Sequence, residues 1–159
     1  MWFFMILCYV MTALSFLFLF LTGMQGHFKF FIFNANHATF ALFTIIIYLF
    51  TETLVIFYFV GIGVSIKEYI QGNKTAGDYY RRMLTVKRKV YPPLLLNMGL
   101  VMTLFILGGA VDTKHIPGWI HGGLFYISML HFLKTIVVQH QAFKESTAIV
   151  IEMAAPCII

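Results

Sequence analysis

From Tyr48 to Phe57 the chain reads Tyr-Leu-Phe-Thr-Glu-Thr-Leu-Val-Ile-Phe, which sets one carboxylate near the middle of an apolar run too long for a helix in water. A run of that length calls for a bilayer. An ionisable group deep in a membrane costs about 3 kcal/mol on insertion scales, so it marks a functional site or needs a named partner. The surroundings of Glu52 are therefore what the rest of the chain has to explain. Composition agrees, being 60% hydrophobic and 11% charged, where soluble domains run to roughly 45–50% and 25%. The 159 residues leave room for four helices of about 20 residues each and short connections. The expected fold class is all-α: a polytopic four-transmembrane-helix bundle forming one domain over 1–159, with no separate soluble domain.

Taken in order, residues 2–21 form an uncharged first span. It is expected to be retained, since no basic n-region or small-x-small cleavage site accompanies it. Asn36 is placed to cap a second helix beginning at His37, which runs over 37–64 and contains Glu52. Lys67, Lys74, Arg81, Arg82, Lys87, Arg88 and Lys89, seven of the eleven basic residues, then fall in an expected loop over 65–91. Tyr91-Pro92-Pro93 opens the third helix, where first-turn amides have no intrahelical partner to lose, and the span covers 93–111. A fourth covers 117–138, and a short tail, 141–159, is expected to lie on the surface or against a partner. The positive-inside rule makes the basic loop, and with it both termini, cytoplasmic. This implies a multi-pass protein of a bacterial inner membrane or an equivalent one. Cys8 and Cys157 supply neither a disulfide framework nor a metal knuckle.

On the second helix, the ~100° step per residue groups His37, Ala41, Thr44, Tyr48 and Glu52 in a wedge of roughly 80°. On the fourth it groups His121, Ser128, His131 and Thr135 in the same way. Two such stripes bury each other, which predicts an intramembrane polar network of Tyr48, Glu52, Ser128 and His131, with a Glu52–His131 contact. Interhelical polar residues also act simply as glue, at around 0.6 kcal/mol each. The alternatives are a proton or ion path using Glu52, and a cofactor site.

For b-type haem, two imidazoles on different helices at similar depth are needed, with small residues beside them and a polar group for the propionates. His37 and His121 meet the first need; Gly108, Gly109, Gly122 and Gly123 the second; Lys114 or His115 the third. A zinc or copper site drawing on His27, His37, His115 and Asp112 has suitable ligand types without tight spacing. The cations Arg81, Arg82, Lys87, Arg88 and Lys89 suit an anionic leaflet or an acidic partner subunit approached through Tyr79 and Tyr80. Most of the +5 charge is thereby topogenic, and nucleic acid is not a candidate.

His37 opening an aromatic helix, Arg81-Arg82-Met83-Leu84, a Pro-initiated and Gly-ended helix, and Gly118-Trp119-Ile120-His121 together resemble the small haem-associated protoporphyrinogen oxidases of bacteria. The resemblance covers roughly half of the chain on short motifs. That family carries a lysine two residues after the histidine of its Trp-x-His segment, where this chain has Gly123, and the helix count differs at both ends. The resemblance implies haem association and no particular activity. The function expected first is a non-catalytic accessory subunit of a larger redox or energy-transducing membrane complex. Haem or quinone binding and ion conduction through Glu52 are the alternatives.

Overall fold

The computed structural model describes residues 2–73 and 78–155. They form four helices: α1 (Trp2–Phe28), α2 (His37–Asn73), α3 (Tyr79–Asp112) and α4 (Gly118–Ala154). All four are long and apolar enough to cross a membrane, consistent with a multi-pass membrane protein. Successive helices run antiparallel, as the cross-links Ser15–Thr51, Tyr48–Asn97 and Asn97–His131 require. Among the described residues α1 and α3 make no contact, while α2 and α4 meet across the bundle. The α2–α4 diagonal carries most of the chemistry.

Spacing explains why the helices close this way. Buried positions on α3 are Met83, Val86, Val90, Leu94, Asn97, Val101 and Leu104, alternating steps of three and four as a left-handed bundle demands. Cys8, Thr12, Ser15, Leu19, Thr22 and Gln25 repeat the pattern on α1. Polarity is inverted relative to a soluble protein: Ser15, Thr51, Glu52, Asn97 and Gln139 are buried, whereas Phe3, Ile106 and Leu130 are exposed. Such a distribution is stable where the surroundings are hydrocarbon, because polar groups then find partners only inside the bundle.

The helices extend further than the apolar runs imply. With 37 residues, α2 is about 55 Å long against a hydrocarbon core of about 30 Å. Most of the expected loop at 65–91 is the end of α2 and the start of α3, and the expected tail from 141 continues α4 to Ala154. Lys74 and Cys157 lie outside the described residues. Pro92 and Pro93 sit within α3 instead of opening it. Each removes an amide from the ladder, yet Val90 and Leu94 on either side are fully buried, and their packing carries the helix through. Two ion pairs, Arg82–Glu152 and Lys89–Glu145, tie α3 to α4 beyond the apolar segment. The Arg82 guanidinium holds the Glu152 carboxyl below its ordinary range.

At the other end α1 runs on to Phe28, past the expected stop at 21. Lys29 ends it in a left-handed conformation (φ 52°), donating its amide to the Gln25 carbonyl. A tight turn through Phe33 and Asn34 follows, closed by Ile32 and Ala35, and the Gln25 side chain donates to the Ala35 carbonyl at 2.8 Å. Asn36 caps α2, its Oδ1 accepting from the Thr39 amide at 2.9 Å.

Midway along the bundle, Asn97 donates to the Tyr48 hydroxyl at 2.7 Å and faces His131 Nδ1 through its carbonyl oxygen at 3.0 Å. One side chain thereby joins three helices. Asn97→Ala is expected to cost about 1–2 kcal/mol, since it strands both partners. Ser128→Ala, whose hydroxyl donates only to the Leu124 carbonyl of its own helix, is expected to cost a few tenths of a kcal/mol. Thermal unfolding of the detergent-solubilised protein compares the two.

Candidate cofactor site

At the end of the bundle remote from the basic residues, α1, α2, α3 and α4 enclose a cavity of about 900 Å³. That is at the upper end of the usual range for ligand sites, about 300–1,000 Å³. Its wall is mostly apolar, with Leu19, Ile45, Val101 and Phe125 among the lining residues, and its polar groups include His27, Lys29, His37, Asp112 and His121.

His37 is the first residue of α2 and His121 lies in the first turn of α4. Because these helices run parallel across the diagonal, their starts bring the two imidazoles together edge to face, with ring centroids 6.2 Å apart and planes at 78°. That is the separation, about 6 Å, reached by two imidazoles that share one metal axially at about 2 Å per bond. Each ring has a buried Nδ1 outside strict hydrogen-bond geometry, and the His121 ring lies beside the Leu104 backbone carbonyl.

Glycines make room for both rings. A Cβ on Gly26 would stand 3.2 Å from His37 Cε1, and one on Gly108 would stand 3.2 Å from His121 Cε1. Gly109 and Gly122 line the cavity without touching either ring, and Gly123 lies outside its lining. Gly23 serves helix packing instead. The Phe125 ring lies on its backbone, so close that a Cβ there would overlap the ring tip. This contact seats α4 against α1.

The residues expected around this site are thus divided. His37 and His121 come together, whereas Lys114 and His115 do not line the cavity; His115 turns to the Thr113 hydroxyl instead. In their place stand His27, held by Tyr126 at 3.1 Å, and Lys29. The zinc or copper set of His27, His37, His115 and Asp112 does not assemble, and no group of three or more metal-ligating side chains forms among the described residues. Comparison with known proteins finds no family model that matches the chain, and no similar curated protein or solved structure.

Of the predicted intramembrane network, Tyr48 and His131 meet through Asn97, which sequence reasoning left out. Ser128 takes no part. Glu52 is not joined to His131: Gln139 donates to its Oε2 at 2.7 Å, because Gln139 lies two helical turns further along α4. The expected surface cations also differ in role. Arg82 and Lys89 are paired, Lys87 lies along Gly63, and Arg81 and Arg88 are exposed.

Gly23→Ala is expected to push Phe125 off its seat and destabilise the bundle by about 1–3 kcal/mol, the usual range for overpacking. Gly109→Ala, with open space at its Cβ, is expected to cost less than about 0.5 kcal/mol. Combining Gly23→Ala with Phe125→Leu restores part of the loss if the clash is its cause, as a double-mutant cycle in thermal unfolding would register.

Proposed function

We propose that the chain is a small integral membrane redox subunit that holds a b-type haem between His37 and His121. The observation that carries this reading is the imidazole pair set across the cavity at metal-sharing distance. Several features of the cavity fit the group. Two imidazoles with buried Nδ1 atoms offer the ligands, Gly26 and Gly108 allow the rings to settle close to the helices, and the apolar wall suits a macrocycle. Lys29 and His27 at the rim supply cationic or hydrogen-bonding groups of the kind that propionates require. Such a group, when bound, supplies one-electron transfer. The chain's own part would be to offer the His37 and His121 ring nitrogens, to surround the group with a largely apolar wall, and to orient the His27 ring through Tyr126.

With helices and short turns making up the described chain, electrons must come from and go to partners. On this reading the protein is a subunit of a larger membrane complex. By the positive-inside rule the basic end faces the cytoplasm, both chain termini with it, in a bacterial inner membrane or its equivalent. Arg81 and Arg88 are among the exposed cations there that can meet anionic headgroups or an acidic subunit.

Purified protein from haem-replete cells is expected to show a Soret band at one haem per chain, with reduced-minus-oxidised bands of a six-coordinate, low-spin species. His37→Ala or His121→Ala is expected to convert or abolish that spectrum, and Gly108→Ala to weaken haem retention by about tenfold for a misplaced ligand. Gly99→Ala, on α3 outside the cavity lining and with open space at its Cβ, should leave it intact. A protein free of haem after reconstitution would end the reading.

A further inference from the structure

Glu52 lies 15 residues beyond His37, about 22 Å along the axis of α2, and has no role in the cofactor site. It is fully buried. Its Oε2 accepts from Gln139 Nε2, yet its Oε1 has no hydrogen-bond partner, and neither does Gln139 Oε1. Two acceptor oxygens on neighbouring side chains, both shut from solvent, are thus short of one donor.

Charge leads to the same deficit. The ion pairs among the described residues, Arg82–Glu152 and Lys89–Glu145, lie near the end of the bundle and leave Glu52 out. The titratable side chains on the helices around this level are Cys8 and Tyr9 on α1, Tyr48 and Tyr58 on α2, Tyr91 on α3, and His131, Lys134 and His140 on α4, with Lys134 on the exposed face of its helix. Of these, Cys8 and Tyr48 are its electrostatic neighbours, and neither carries a positive charge. An ionised Glu52 would be an uncompensated anion in an apolar interior, a condition proteins avoid by neutralising the group.

The neutralising cation can be identified by the number of oxygens available to it. Hard metal cations take about six oxygens, and the helical carbonyls here are engaged in their own ladders. A proton needs one oxygen to hold it and one to accept from it, and Glu52 Oε1 and Gln139 Oε1 are two buried, unpartnered oxygens on side chains already joined by one hydrogen bond. The chain also supplies a way in. Cys8 and Gln139 are followed directly by Tyr9 and His140, an exposed pair joined at 2.8 Å between the tyrosine hydroxyl and Nδ1. An imidazole can both accept and donate a proton, which suits His140 to begin a route inward from the surface of the bundle.

We propose that Glu52 and Gln139 form a buried proton-binding site, filled from the basic end of the bundle past the Tyr9–His140 pair. The site is independent of the haem reading, since it shares no residue with the His37–His121 cavity.

Dicyclohexylcarbodiimide tests it, because this probe adds only to the protonated form of a carboxyl in apolar surroundings and leaves a stable acylurea. Peptide mapping of the full chain in liposomes is expected to place the label on Glu52. Labelling should fall by about tenfold per pH unit once the carboxyl titrates, with no protection by sodium, and Glu52→Gln should remove it. The wild-type pH profile stands alone if that variant fails to fold. His140→Ala is expected to slow deuterium exchange of the Glu52 carboxyl, followed by its infrared carbonyl band, by about tenfold or more. An unlabelled Glu52, labelling indifferent to pH, or protection by sodium would overturn the proton site. Unchanged deuterium exchange in His140→Ala would overturn the route.

Discussion

The bundle depends on the rule that a polar group surrounded by apolar matter must find its partner within the protein. Tyr48, Asn97 and His131 tie α2, α3 and α4; Ser15 with Thr51 and Thr22 with Thr44 tie α1 to α2. Each link is weak alone, on the order of 0.6 kcal/mol, but each is satisfied at only one relative position of its helices. Leucine and phenylalanine pack almost as well after a slide of one turn, whereas these pairs do not. The polar stripe therefore sets register, and through register it sets which imidazoles face each other.

The same register places two unlike sites on one diagonal. Near the starts of α2 and α4, His37 and His121 border a roomy cavity. Further along the same two helices, Glu52 and Gln139 are buried and joined by a hydrogen bond. The first offers nitrogen ligands in an apolar wall and the second offers oxygens without a counter-charge, so the two call for different occupants.

How much of this could be read from residues alone follows from what each signal measures. Four apolar runs reported four spans, and helix starts at Asn36 and Pro117 put His37 and His121 at a common level. Charge misled at the ends: Lys67 and Arg81 to Lys89 suggested a loop, although Met83, Val86, Val90 and Leu94 keep the three-and-four spacing straight through Pro92 and Pro93. That spacing was the available sign that α3 began earlier. Gln139 was overlooked as the partner of Glu52 because it falls one residue past the expected end of the fourth span, leaving His131 as the nearest candidate. Gly26 and Lys29 were overlooked for a similar reason, having been assigned to a loop. The Gly26–His37 approach is a tertiary contact with no local signature.

The length of α4 has a mechanical consequence. His121 and Glu152 belong to one helix with no proline among residues 118–154, the former beside Gly108 and the latter gripped by Arg82 on the same neighbouring helix. Both ends of this rod are thus clamped to α3, and a twist applied at either clamp is carried as torsion by the helix between them. Gln139 rides on that rod, between the two clamps.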